Sequence, residues 1–151
     1  MSNDSIWTHA HSITSQDPGW TLTRFGSSVI ITPSPAADSA GVQNWVHFPV
    51  PTQIVIGSKR VQAVAAHLRF GVGAQATILA INIWDGDRRI AVIDNLNIGT
   101  NPTKTYTWNI SNSEEINYGV EISVAIRFKT VDPSVASVGF VGAGIDFAVV
   151  G

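Results

Sequence analysis

The chain has 151 residues, a net charge of −2, no cysteine, 44% hydrophobic residues and 13% charged ones, about half the ~25% usual for soluble domains. The length fits one domain over 1–151 that buries its own core, and the composition excludes a disulfide framework, a thiolate metal site and intrinsic disorder. Basic residues are too few and dispersed to neutralise a nucleic-acid backbone, and no apolar run approaches the ~18 residues of a membrane span.

The N-terminal "MSNDSIWTHAHS" lacks a basic segment followed by an apolar run, which makes the cytoplasm the default location, with release by other routes left open. The first strand is expected over Ile6–Ile13. Alternation then puts His9 and His11 on one face with Trp7 and Ile13. Two histidines so spaced hold a metal only if a third ligand arrives from elsewhere. The competing reading is a partly polar sheet face or a subunit contact, and it is preferred.

Further strands are expected over Trp20–Phe25 and Ser28–Thr32, followed by a small-residue loop, "PSPAADSAG", from Pro33 to Gly41. In the next strand, Asn44–Phe48, Trp45 and His47 share one face and Val46 and Phe48 the other. "PVPT" reads as a strand exit, because its two prolines cannot donate to a ladder. Val61–Val72 continues the series.

"ATILAINIWDGDRRIAVID" is expected to be a hairpin, with Asp85-Gly86 as a two-residue type I′ turn and Ile81 opposite Ile90. That register places Trp84 opposite Asp87. "GTNPT" is a turn, and in Lys104–Ile110 the residues Tyr106, Trp108 and Ile110 share a face. Glu114-Glu115 reads as a solvated turn, since adjacent strand residues face opposite ways. In "YGVEISVAIRFK" Tyr118, Val120, Ile122, Val124, Ile126 and Phe128 alternate with Glu121, Ser123, Arg127 and Lys129, the signature of a sheet with one buried side. The last strand, Val138–Val150, lies in an eighteen-residue closing segment that carries one charge, Asp146.

The expected fold is therefore all-β: a single-domain antiparallel sandwich of about nine or ten strands, jelly-roll-like or Ig-like. "GVGAQA" and "GFVGAG" adjoin strands rather than helix starts, and G-x-S-x-G, H-E-x-x-H, Walker and dinucleotide motifs are missing. The reading is a protein that is not an enzyme and takes no cofactor.

Three binding roles remain. So apolar a closing strand must be central in a sheet or covered by a partner, which with the low charge points to a homo-oligomeric interaction module. Alternatively, tryptophan faces stack on sugar rings while polar neighbours fix the hydroxyls, with Trp84 and Asp87, and Trp45 and His47, as candidate carbohydrate-binding residues. A metal-binding protein built on His9 and His11 is the third reading.

At "WTHAHS", "NWVHFPVPT", "WDGDRRIAVIDNL" and "YGVEISVAIRF" the chain resembles a family of small bacterial β-sandwich proteins of unknown function. Its most specific element here is Trp45, His47, Pro49, Pro51 and Thr52. The resemblance implies one β domain and transfers no activity and no catalytic residues.

Overall fold

The computed structural model describes residues 4–36, 40–111 and 114–151. Among these the chain forms β1 (Asp4–His9), β2 (Thr14–Ser15), β3 (Thr21–Arg24), β4 (Val29–Thr32), β5 (Gln43–Val50), β6 (Val55–Ile56), β7 (Lys59–Val72), β8 (Ala76–Asp85), β9 (Arg88–Ile93), β10 (Asn101–Asn109), β11 (Val120–Phe128) and β12 (Val138–Val149). Two of the twelve, β2 and β6, are only two residues long, so the expected nine or ten strands describe the substantial ones. Part of the loop expected between Pro33 and Gly41, residues 37–39, lies outside the described residues.

The strands make two antiparallel sheets. One runs β10-β7-β12-β4-β3, with β1 also on β12 and β6 on the start of β7; the other runs β2-β5-β11-β8-β9. Strand β4 pairs with Val138–Phe140 and β1 with Gly142–Phe147, so β12 has neighbours on both sides. The apolar closing segment is thus central in its sheet, which is one of the two placements its composition allows.

The period-2 pattern of each strand sends one set of side chains into the space between the sheets. Val46, Phe48, Ile81, Ile83, Ile122, Val124, Ile126 and Phe128 come from the five-stranded sheet, and Leu68, Phe70, Val138, Phe140, Ile145 and Phe147 from the other. Phe48 meets Phe140 across the sandwich at 5.2 Å between ring centres, and Trp20 closes one end against Phe128. Tyr106 and Trp108 stack outward from Phe70 along the inner face of β10. Each fully buried Phe or Ile contributes about 1.5–3 kcal/mol, enough for this core to hold the sheets without cross-links.

Four local expectations change. The first strand stops at His9, where a 3-10 turn (Ala10–Ser12) intervenes and Ile13 drops into the core while His11 stays exposed. The hairpin register is Ile81↔Ile93, Asn82↔Val92, Trp84↔Arg89 and Asp85↔Arg88, with a bulge between Ile83 and Trp84. Its two-residue turn is Gly86-Asp87 rather than Asp85-Gly86, and only Gly86 has positive φ (59°), the type II′ rather than the type I′ pattern. The buried side chain of Asp85 forces this choice, because a turn centred on it would throw its carboxylate into solvent. Tyr118 lies outside β11 and is exposed. Finally, Pro49 stays within β5 opposite Glu121, beyond His47, the last β5 residue that β2 pairs; a proline is tolerated where no neighbour needs its N–H.

Candidate functional site

The alternation that buries Val46, Phe48, Ile122 and Val124 sends Trp45, His47, Glu121, Ser123, Ala125 and Arg127 to the outer face of the five-stranded sheet. The cross-strand register orders them in rows. Trp45, Ala125 and Ala80 form one row, His47, Ser123, Asn82 and Val92 the next, and Pro49, Glu121, Trp84 and Arg89 the third. Small side chains on the middle strand lie between indoles carried by β5 and β8, and the difference in side-chain length carves a groove. Trp45 and Trp84 are two strands and two rows apart, which sets their Cα atoms about 16 Å from each other.

The groove has two lobes that share Trp45 and Asn82. One, of about 510 Å³, is lined among others by Gln43, Arg89, Asp94 and Arg127; the other, of about 320 Å³, by His47, Trp84, Glu121 and Ser123. Polar groups on its floor divide into two kinds. His47 Nδ1 lies 2.8 Å from Glu121 Oε1 and 2.9 Å from Ser123 Oγ, and Ser123 Oγ donates to Glu121 Oε1 at 3.0 Å. That triangle is internally satisfied. Asn82, by contrast, is 7% exposed, and among the described residues its side-chain amide has no hydrogen-bond partner. Its amide atoms are therefore the part of this largely buried residue that reaches solvent, and they open into both lobes, where their donors and acceptor can meet a ligand.

The hairpin end that presents Trp84 is held from beneath by Asp85. Its fully buried carboxylate accepts the backbone N–H groups of Asn117, Tyr118 and Gly119 at 2.8–3.0 Å and the Arg88 guanidinium at 2.9 Å. Burial pushes this carboxyl up, but the three backbone donors and Arg88 outweigh it and hold the group below the ordinary carboxylate range. Arg88 also pairs with Glu114. Beside it, the Arg89 guanidinium sits 6.0 Å from the centre of the Trp84 ring.

Of the four candidate sugar residues, Trp45, His47 and Trp84 line the groove together. Asp87 does not: it is exposed in the turn, and the residue across from Trp84 is Arg89. Asn82, Ser123, Glu121, Arg89 and Arg127 were not among the candidates. The alternation of β11 already marked Glu121, Ser123 and Arg127 as outward-facing, but only the register shows that Ser123 and Glu121 lie between the strands that carry the two indoles and that Arg127 lies one row beyond Trp45.

His9 and His11 are brought together with rings edge-on at 4.6 Å, but His9 Nδ1 accepts the His11 backbone N–H and His11 Nε2 meets the Phe25 carbonyl. Among the described residues no group of three His, Asp or Glu side chains converges as a metal would need. The 3-10 turn between the two histidines removes the shared face that the strand expectation gave them.

The opposite face of the sandwich carries a different row. His67 lies 2.8 Å from Thr107 Oγ1 and 3.0 Å from Asp146 Oδ1, Ser5 bonds Asp146, and the Trp7 ring stacks on the imidazole at 5.5 Å. Trp7 fits there because Gly144 lies beneath its ring.

Several solved structures share this architecture. The low-affinity xylan-binding module CBM86 from Roseburia intestinalis matches with a TM-score of 0.57 at 16% identity, over 96% of each chain. The xylan-binding module CBM15 matches with a TM-score of 0.57 at 12% identity, over 97% of this chain and 98% of its own. The C-terminal CBM6 of a laminarinase from Zobellia galactanivorans gives 0.53 at 9% identity, over 94% and 98%. At these identities the likeness concerns the fold, and it identifies the sandwich as the jelly-roll kind rather than Ig-like. No curated protein matches the sequence. One family model spans residues 1–151, in agreement with the family resemblance of the sequence, and the chain belongs to that family, the family of unknown function DUF6623.

Proposed function

We propose that the protein is a non-catalytic carbohydrate-binding module whose groove on the five-stranded sheet takes an extended polysaccharide segment. The observation that carries this reading is the placement of Trp45 and Trp84 on either side of Asn82, a residue whose side-chain amide faces the groove and has no partner among the described residues. Sugar rings are amphipathic, and a ligand that stacks on both indoles brings hydroxyls to the amide between them. The fold-level likeness to two xylan-binding modules supports the same class of ligand.

The titratable groups argue for binding rather than turnover. In the groove, Glu121 is bonded to both His47 and Ser123, and among the described residues no second carboxylate lines its lobe. The Thr107–His67–Asp146 row on the other side lies on an open sheet, with an indole over its imidazole. Neither arrangement offers an acid/base pair astride a bound substrate.

Affinity electrophoresis and calorimetry against a panel of soluble xylans and glucans test the proposal. Retardation by at least one of them, abolished in Trp45→Ala and Trp84→Ala, is the expected result. No retardation across the panel, or variants that bind like the parent, would overturn it.

Self-association is the second reading, and the 13% charged fraction is what favours it. The central position of β12 accounts for the closing segment without a partner. The exposed large apolar residues that remain include Trp7, Phe25, Val55 and Tyr118. Sedimentation at micromolar concentration decides it: a dimer sustains this reading and a monomer removes it.

A further inference from the structure

The sequence contains six arginines. Arg24 donates to the Ile13 carbonyl, Arg60 to the Ile116 carbonyl and Arg69 to Thr105, while Arg88 is held by Asp85, Glu114 and the Glu115 carbonyl. The other two, Arg89 and Arg127, have no hydrogen bond and no ion pair among the described residues. Both line the same 510 Å³ lobe of the groove.

Their positions are set by the fold. Arg127 projects from β11 between Gln43 and Thr77, one row beyond Trp45, and is partly buried. Arg89 projects from β9 and lies over the Trp84 ring. One carboxylate, Asp94, also lines the lobe, but it is within ion-pair distance of neither arginine. Arg127 is partly buried and Arg89 exposed, and the register sets them two strands and three rows apart, so each offers its guanidinium to a separate anionic group along the groove. The flat fork of a guanidinium matches a carboxylate in two parallel hydrogen bonds.

We propose that the larger lobe recognises the carboxylates of uronic acid units, so that the ligand is an acidic polysaccharide rather than a neutral one. The proposal rests on the carbohydrate-binding reading and adds the charge of the ligand to it. Neutral rings would cross Trp84 and Trp45, with one uronate met by Arg127 beyond Trp45 and another by Arg89 beside Trp84.

The test compares a glucuronic-acid-substituted xylan with the same polymer after its carboxylates are converted to methyl esters, by calorimetry at low and at moderate salt. A sulfated galactan serves as a second anion. The expected result is binding to the uronate polymer about tenfold tighter than to its ester, weakened by salt. The ratio of acid to ester affinity should fall towards one in Arg127→Gln and in Arg89→Gln, and the salt dependence with it; a ratio that stays near tenfold in both variants would overturn the proposal. Equal affinity for acid and ester would overturn the proposal and leave the carbohydrate-binding reading standing. No binding to either polymer, with none across the neutral panel, would overturn both. Tighter binding to the sulfated chain than to the uronate would refute the carboxylate assignment.

Discussion

Replacing Asp85 by Asn preserves the shape of the side chain and removes its charge, which isolates the role of the carboxylate under the hairpin. Oδ1 accepts from Tyr118 and Gly119 and Oδ2 from Asn117 and Arg88. An amide has one acceptor oxygen. Whichever way it is turned, its NH2 group meets two of these donors and leaves them unaccepted. Each buried donor so stranded costs about 1–3 kcal/mol, and Arg88 recovers part of its share through Glu114. We expect Asp85→Asn to lose about 3 kcal/mol in urea denaturation at pH 7. The pH dependence gives a second readout. Because the folded carboxyl is held below its ordinary value of ~3.9, its contribution is complete above that pH and is lost as the pH falls through the folded value. The stability gap between parent and variant should therefore narrow below pH ~4. A loss under about 1 kcal/mol, or a gap that widens on acidification, would refute the reasoning.

Other expectations follow from single positions. Trp84→Ala and Trp45→Ala each remove one stacking face, worth about 2 kcal/mol or more than tenfold in polysaccharide affinity by calorimetry, with circular dichroism unchanged. Gly73→Ala brings a Cβ to 2.8 Å from the backbone carbonyl of Val135, which cannot retreat, and should cost about 2–3 kcal/mol in urea. Gly144→Ala instead meets the half-exposed ring of Trp7 at 2.7 Å, which can swing away. It should cost roughly 1 kcal/mol, alter tryptophan fluorescence and leave ligand binding intact.

The sequence made the sandwich legible because period-2 alternation survives in β5, β8, β11 and β12 wherever one face is core. Trp45 and His47 could be placed on a common outward face from alternation within β5 alone. What pattern could not supply was anything that depends on pairing between strands. The hairpin was displaced because "WDGD" offers two plausible two-residue turns, and only the donors at Asn117, Tyr118 and Gly119, more than thirty residues away, fix Asp85 inside. That displacement exchanged Arg89 for Asp87 opposite Trp84. Asn82 was hidden for a similar reason: an asparagine within an apolar strand gains significance only when its neighbours across β11 and β9 are known. His9 and His11 misled because alternation was assumed through Ala10, whose burial in a 3-10 turn breaks the period.

A chemical-shift titration of the ¹⁵N-labelled protein with a soluble xylan oligosaccharide bears most directly on the groove. The indole N–H signals of Trp45 and Trp84 and the side-chain amide of Asn82 should move together and saturate at one stoichiometry, while Trp7 on the opposite sheet stays still. Shifts confined to Trp7 and its neighbours, or no shift at any tryptophan across acidic and neutral oligosaccharides, would contradict the assignment.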